Sequence, residues 1–168
     1  AICEELKHKK DLGLHSEMVG DGVVDLIESG VINNSKKNFN KGKSILGFAF
    51  GTKKLFDFLN GNKDIEMTPM DYVNNPLIIA QNDNLVSVNS CIEIDLMGQV
   101  VSDTIGETQF SGIGGQVDFV RGATMSKGGR SIMAMPSSAK GGTISKIVPK
   151  ITDYSAVATT RNDVNYVV

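Results

Sequence analysis

The chain is organised around one glycine-rich stretch, Ser111-Gly112-Ile113-Gly114-Gly115-Gln116-Val117-Asp118-Phe119. Three glycines within four residues allow positive φ angles and a close approach of another molecule to the main chain. The residues from Gln116 to Ser126 are predicted to form a helix. A glycine turn that opens a helix presents free N–H groups, which suit a phosphate or a developing oxyanion. A plain strand-to-helix turn is an equally open interpretation, since such a turn alone is weak evidence of a site.

Composition points to an ordinary globular chain. Its 168 residues are 40% hydrophobic and carry a net charge of −2, so no global field attracts nucleic acid or an acidic membrane. The apolar runs are too short to span a bilayer. Charges at Glu4, Glu5 and Lys7 stand where a signal peptide needs apolar residues. Cys3 and Cys91 are isolated, which argues against a disulfide scaffold or a zinc site and favours the cytoplasm.

Several familiar sites are excluded by spacing. Gly42-Lys43-Ser44 looks like the end of a P-loop, but Lys37 stands where the loop needs its first glycine. Val117 occupies the position of the third glycine in a dinucleotide-binding fingerprint. The sequence contains no GxSxG nucleophile elbow. With only His8 and His15, it does not favour a metal site built from several histidines.

Hydrophobic patterns predict strands that alternate with helices in the first half and gather into hairpins in the second. A buried strand is predicted over Ser44–Phe50, followed by a helix over Lys53–Leu59. Asn75-Pro76 predicts a helix start, and a hairpin is predicted to turn near Gly98. Residues 33–43 are rich in Asn and Lys and are predicted to form an exposed, solvated loop. The pattern favours an α/β domain with a mixed sheet and no internal boundary.

After these exclusions one carboxylate stands out, that of Glu17. The pattern places a short strand at residues 12–15 and Glu17 in the polar loop that follows it, between His15 and Met18. Composition alone favours a solvated surface glutamate, because Glu is mostly exposed in proteins. It likewise favours a structural role for His15.

The segment Leu14-His15-Ser16-Glu17-Met18, followed by Asp21-Gly22, resembles the active-site segment of the acetyl-CoA hydrolase/CoA-transferase family, especially the 4-hydroxybutyrate type. Further stretches resemble the family in the same order, namely residues 69–74, 79–84, 95–99, 112–119 and 146–149. The resemblance covers almost the whole chain. It implies an α/β fold similar to the C-terminal domain of the CoA-transferases, with a mixed, mainly parallel sheet flanked by helices.

The same resemblance implies that residues 1–168 form a single domain, the C-terminal part of a longer protein whose N-terminal domain is absent. The chain begins at Ala1 in a predicted helix without an N-cap, which ends near Lys10, and it finishes in an apolar strand pattern at Val168. We expect such a piece to be inactive alone, and its exposed former interface to favour self-association as a homo-oligomer.

The chemistry that the resemblance implies is CoA transfer through Glu17. The Glu17 carboxylate attacks an acyl-CoA thioester, and the mixed anhydride is converted into a Glu17–CoA thioester that a carboxylic acid resolves, with ping-pong kinetics. Coenzyme A is then both substrate and covalent intermediate, and no metal takes part. The expected partners are acyl-CoA and small carboxylic acids. The N–H groups of Gly114 and Gly115 would stabilise the oxyanion.

Contacts to CoA are implied for Asn89, Ser111, Gly115 and Lys140. Lys140 would meet a phosphate as a point charge, although an exposed turn lysine explains the residue equally well. Asn89 can equally be an internal hydrogen-bonding residue of its strand. Gly115 is expected to need a positive φ, which a branched side chain resists. Cys91 is predicted to be a small core residue rather than a nucleophile.

Two other functions stay open at this stage. In an acetyl-CoA hydrolase, water would resolve the glutamyl thioester in place of a carboxylic acid. A non-catalytic CoA-binding or interaction module would keep the fold without using Glu17 as a nucleophile.

Overall fold

Parallel pairing dominates the larger sheets of this protein, which we describe from a computed structural model for residues 2–168. The strands are β1 His15–Val19, β2 Ser44–Ala49, β3 Ile65–Met67, β4 Val86–Asn89, β5 Glu93–Asp95, β6 Val100–Val101, β7 Thr104–Ile105, β8 Thr108–Gln109, β9 Arg130–Met133, β10 Ser138–Ala139, β11 Ile144–Ser145, β12 Ile147–Val148 and β13 Tyr166–Val167. The helices are α1 Ile2–Leu6, α2 Gly22–Glu28, α3 Lys53–Leu59, α4 Met70–Val73, α5 Pro76–Ile79 and α6 Gln116–Met125, with a 3₁₀ turn at Lys140–Gly142.

The described chain divides into two compact units, the first ending at Asp83 and the second beginning at Asn84. In the first unit, β1, β2 and β3 form a parallel sheet in that order, and helices α2 and α3 follow β1 and β2. Its buried side chains fall into two clusters, Val19, Val24, Leu46 and Leu55 in one and Leu26, Val31 and Ile32 in the other. Each βαβ connection supplies the crossover that parallel neighbours require.

In the second unit, β9 runs parallel to both β4 and β13, so the prediction that strands of this half gather into hairpins is wrong in part. The helix α6 lies between β4 and β9 in the chain and packs on both strands, which makes it the crossover of a parallel pair. The core of this unit consists of Cys91, Ile94, Val100, Val120 and Met133. The α/β class with mainly parallel pairing and flanking helices is therefore confirmed.

Local predictions hold where the signal is local. Helix α3 has the predicted bounds, and the Asn75 side chain caps α5 by accepting the Leu77 N–H at 2.9 Å. The predicted hairpin at Gly98 is present between β5 and β6, with a Gly98 φ of +84°. The N-terminal helix is shorter than predicted, and Ala1 lies outside the described residues. Among residues 2–168, no helix combines the length and the apolarity that a membrane crossing demands.

The loop at residues 33–43 is not merely solvated, contrary to the prediction. Asn34 and Lys37 are buried within it, at 3% and 7% exposure. The Lys37 ammonium donates to the carbonyl oxygens of Leu14 at 3.1 Å and Lys43 at 2.7 Å, and burial lowers the pKa of Lys37 to about 8. Asn34 accepts the Leu14 N–H and donates to Ser44 Oγ. The loop thus joins the residues that precede β1 to the start of β2.

Candidate active site

Glu17 lies inside strand β1 and not in a loop, which corrects the prediction made from its polar surroundings. The strand pairs with β2 through Ser16 opposite Leu46 and Met18 opposite Phe48. The side chains along β1 are largely polar, so the hydrophobic pattern did not predict a strand here. The segment is extended because it pairs with the buried strand β2, and not because its own side chains are apolar. β1 is an edge strand of this parallel sheet, and its pairing with β2 holds the Glu17 backbone in a defined register.

Among residues 2–168, one side-chain hydrogen bond orients the Glu17 carboxylate. Asn74, the residue that follows helix α4, donates its Nδ2–H to Glu17 Oε2 at 2.6 Å. Glu17 is half-buried, and a hydrogen bond to a charged acceptor is strong in such surroundings. The Asn74 Oδ1 atom is buried and has no hydrogen-bond partner among the described residues. Asn74 therefore holds the carboxylate in one direction with its amide donor.

Helix α4 packs on the face of the sheet that carries Glu17. His15, two residues before Glu17 and on the same face of β1, contacts the Val73 carbonyl oxygen through Nε2 at 2.7 Å. Burial lowers the pKa of His15, which favours the neutral ring. His15 thus has the structural role that was predicted for it, because it ties the end of α4 to the strand of Glu17.

Opposite Glu17, strand β2 has a glycine, which sequence analysis did not identify as a site residue. Gly47 falls between Leu46 and Phe48, the partners of the residues on either side of Glu17. A Cβ atom on Gly47 would lie 2.8 Å from the Glu17 carbonyl oxygen and 2.7 Å from Met70 Cε. Only glycine fits between the Glu17 backbone and the Met70 side chain.

Asp21, at the start of α2, belongs to the same family-like segment as Glu17. Its carboxylate accepts the Thr52 N–H at 3.1 Å and the Thr52 hydroxyl at 3.0 Å. Thr52 is the residue before helix α3, and Gly51 leaves room for the Asp21 carboxylate. Asp21 therefore joins the residues that follow β1 to Thr52, the residue that precedes α3, which is a structural role.

The glycine turn of the second unit opens helix α6 as the sequence predicts. The residue with the positive φ is Gly114, at +62°, whereas Gly115 has a φ of −96° and is buried as the N-cap of α6. The expectation that Gly115 needs a positive φ is therefore wrong, because the left-handed residue precedes the cap. Within residues 2–168, the N–H groups of Gly114 and Gly115 have no hydrogen-bond acceptor.

Two glutamines attach this turn to its own unit. The Gln116 side chain donates to the Ser90 carbonyl oxygen at 2.7 Å and accepts from Ser102 and Thr159 hydroxyls. Gln109 donates to the carbonyl oxygen of Ser111 and to the Asp103 carboxylate. The turn between these anchors is exposed from Ser111 to Gly114. The anchors hold its ends, and its backbone faces solvent.

The residues predicted to bind CoA all belong to the second unit, but only some of them lie close to one another. Gln116 and Ser90 bring Gly115 near the end of β4, where Asn89 donates to Ser87 Oγ at 2.7 Å. This contact is the internal hydrogen bond weighed as the alternative for Asn89. Ser111 is exposed and donates to the Gly112 carbonyl oxygen. No hydrogen bond among the described residues connects Lys140 with the glycine turn.

Lys140 occupies an exposed 3₁₀ turn between β10 and β11, with a φ of +48°. Its backbone accepts from Thr143, and its ammonium has no partner in the described part of the chain.

Cys91 is a buried core residue, as predicted, and burial raises the pKa of its thiol. Among residues 2–168, no cluster of His, Cys, Asp or Glu has the arrangement needed to hold a metal ion.

Comparison with known proteins gives one consistent family. Residues 51–168 match the acetyl-CoA hydrolase/transferase C-terminal domain. The whole chain is 57% identical to a 4-hydroxybutyrate coenzyme A transferase of Clostridium kluyveri, covering 39% of that protein. It is 51% identical to a succinyl-CoA:cyclohexane-1-carboxylate CoA transferase of Geobacter metallireducens, covering 38% of it.

A solved structure shows the same relation in three dimensions. The crystal structure of RipA from Yersinia pestis superposes with a TM-score of 0.93 at 47% identity, over 99% of this chain and 38% of that one. The chain thus spans about two fifths of the length of the relatives it matches. With the profile match over most of its residues and high identity over all of them, the chain belongs to the acetyl-CoA hydrolase/transferase family.

Proposed function

We propose that this chain is the C-terminal part of a CoA-transferase that moves CoA from a short-chain acyl-CoA to a carboxylic acid, with Glu17 as the nucleophile. The observation that carries the proposal is the Glu17 carboxylate itself, half-buried in the edge strand β1 and held by Asn74 at 2.6 Å. A surface glutamate without a role needs neither a defined partner nor a glycine opposite its backbone. The named relatives transfer CoA from or to 4-hydroxybutyrate and cyclohexane-1-carboxylate.

The proposed reaction begins when a Glu17 oxygen attacks the thioester carbonyl carbon. The carbon–sulfur bond breaks, CoA leaves as a thiolate, and Glu17 carries a mixed anhydride with the acyl group. The thiolate then attacks the Glu17 carbonyl carbon and releases the acyl group as a carboxylate. An acceptor carboxylate reverses both steps and takes the CoA. Each covalent intermediate divides a difficult exchange into easier steps.

Asn74 has a defined part in this scheme. Its amide N–H holds one carboxylate oxygen and leaves the other oxygen available for attack. The contact is between a neutral donor and a charged acceptor, so it orients the nucleophile without neutralising its charge. Asn74 is therefore proposed to position the Glu17 carboxylate in the free enzyme, before the first attack and again after the acceptor has taken the CoA.

The glycine turn is proposed to supply the oxyanion donors. The N–H groups of Gly114 and Gly115 lack acceptors within the described chain, and fixed N–H donors stabilise the negative charge of tetrahedral intermediates. Asn89, Ser111 and Gly115 are proposed to contact CoA, and Lys140 to contact one of its phosphates. Support for these roles comes from the family resemblance and, for Lys140, from an exposed ammonium without a partner in residues 2–168.

The test is to trap the covalent intermediate on the full-length protein that carries this chain. The protein is incubated with acetyl-CoA without an acceptor, reduced with borohydride, digested and examined by mass spectrometry. We expect the peptide with Glu17 to carry a thioester that borohydride converts to the alcohol, and a Glu28→Gln control to behave as wild type. An unmodified Glu17 peptide in an active preparation would remove Glu17 from the nucleophilic role.

A hydrolase is the second candidate, because the matched domain family includes acetyl-CoA hydrolases by name. In that case water, not a carboxylic acid, resolves the Glu17 thioester. Turnover of acetyl-CoA without any acceptor, at a rate that added carboxylates do not raise, would identify this activity. A protein that binds CoA without forming the adduct would be a non-catalytic module.

A further inference from the structure

The thioether of Met70 occupies the space that a side chain opposite Glu17 would otherwise fill. Gly47 is the β2 residue opposite Glu17, and a Cβ built on it would lie 2.7 Å from Met70 Cε and 2.9 Å from Met70 Sδ. Paired residues on parallel strands direct their side chains to the same face of the sheet. The end of Met70 therefore lies on the face to which Glu17 directs its side chain.

Helix α4 places Met70 and Asn74 together on this face. The two residues are four apart, which puts them on the same side of a helical turn. Asn74 contacts the Glu17 carboxylate, and Met70 covers the adjacent glycine. One helical turn thus presents a polar contact and an apolar contact on the same face as the proposed nucleophile.

Met70 is also partly open, with 39% of its surface exposed. A side chain that only filled the core would be buried, as are Val73 and Ile79 nearby, both at 0% exposure. Methionine is flexible and apolar, and it adapts to irregular apolar groups. The exposed part of Met70 is therefore suited to contact an apolar group that is carried by the proposed nucleophile.

We propose that Met70, seated over Gly47, is the wall against which the acyl substituent packs, and that it sets the acyl size that the enzyme accepts. This inference rests on the proposed function, because the acyl group reaches Met70 only when it is bound to Glu17 as the anhydride. The substrate class that follows is short, unbranched acyl groups. A branched or longer substituent would clash with the thioether of Met70 unless a shorter side chain replaces it.

The opposite face of the same sheet provides a matched control. Met67, in β3, pairs with Leu46, whose side chain points away from the face of Gly47. Its exposure of 49% is close to that of Met70. A Met67→Ala variant therefore removes a partly exposed methionine from the same sheet but leaves the face that carries the Glu17 side chain unchanged.

The experiment measures kcat/KM for 2-methylpropanoyl-CoA and acetyl-CoA in the full-length protein, with one acceptor at a fixed concentration. We expect Met70→Ala to raise the ratio of the two values at least about tenfold, the usual scale for one or two methylenes in an apolar pocket. Met70→Phe should lower the ratio by a similar factor. Met67→Ala should leave it within about twofold, since Met67 directs its side chain to the face of the sheet opposite to that of Glu17.

Each outcome decides the inference. Unchanged ratios in both Met70→Ala and Met70→Phe overturn it, and an equal change in Met67→Ala also overturns it. If Met70→Ala does not fold, the ratio of Met70→Phe decides alone. The Glu17–CoA adduct is measured in the same preparations: an adduct with unchanged ratios rejects only the role of Met70, whereas an active wild type without the adduct rejects the proposed function as well.

Discussion

Glu17 and the glycine turn present their functional groups in opposite ways. Glu17 presents a side chain, and the direction of its carboxylate is set by another side chain, that of Asn74. The turn at Gly114 presents backbone N–H groups, and its own backbone conformation sets their direction. The first region depends on contacts from distant residues, whereas the second depends on a local φ angle.

This difference predicts different sensitivities to substitution. A side-chain nucleophile cannot be replaced, but its supporting contacts can be weakened one by one. A backbone donor survives most side-chain changes near it and fails when the chain cannot adopt the required φ. Substitutions in both regions test this distinction, and kinetics decide whether the turn takes part in the reaction proposed for Glu17.

The largest effect is expected at Glu17. In the full-length protein, Glu17→Gln should lower kcat for transfer by at least about 10³-fold, because an amide cannot form the anhydride. Denaturant unfolding should remain close to wild type, since the two side chains have similar shapes. Transfer assays with acetyl-CoA and a carboxylic acid check the result, and Glu28→Gln serves as the exposed control. Retention of a tenth of the wild-type activity would contradict the mechanism.

A smaller loss is expected when the turn can no longer adopt its conformation. Gly114→Val forces a branched residue to a φ of +62°, which costs about 1–2 kcal/mol of stability. Misdirecting one oxyanion donor should lower kcat by about 10²-fold. Gly112→Val is the matched control, because Gly112 is in the same turn, has open space around it and has no positive φ. Equal kinetics for the two variants, both folded, would leave the turn with a structural role only.

A further loss of rate, accompanied by a loss of stability, is expected at Asn74. Its hydrogen bond to a charged group is worth about 1.5–3 kcal/mol, so Asn74→Ala should lower kcat about tenfold to a hundredfold. The neighbouring Asn75 caps α5, so Asn75→Ala should instead cost about 1 kcal/mol of stability and leave kcat unchanged. Urea unfolding and steady-state kinetics on both variants separate the two roles. The reverse pattern would show that Asn74 does not position the nucleophile.

The smallest effect is expected at Lys140, where only an exposed charge is involved. A solvent-exposed contact with a phosphate contributes about 1 kcal/mol or less, so Lys140→Gln should raise KM for acyl-CoA by up to about fivefold. The increase should shrink at high salt, because screening removes the wild-type advantage. Lys127→Gln provides an exposed lysine for comparison. A change in kcat with unchanged KM would exclude the proposed phosphate contact.

Features that depend on neighbours in the chain were determined by the sequence alone. The bounds of α3, the Asn75 cap and the glycine turn before α6 follow from local patterns, because backbone conformation and capping involve residues a few positions apart. Family-like segments located Glu17 and the class of fold. The same local reasoning placed the positive φ at Gly115, one residue too late.

Only the tertiary structure decided what surrounds Glu17. Asn74 is 57 positions away, and Gly47 and Met70 reach the site through the β1–β2 register and the packing of α4 on that face. No periodicity shows which residue of one strand faces which residue of another, because register is set by pairing between distant segments. Burial of Lys37 in a polar loop has the same cause: two carbonyl oxygens, brought together by the fold, replace the water that its ammonium loses.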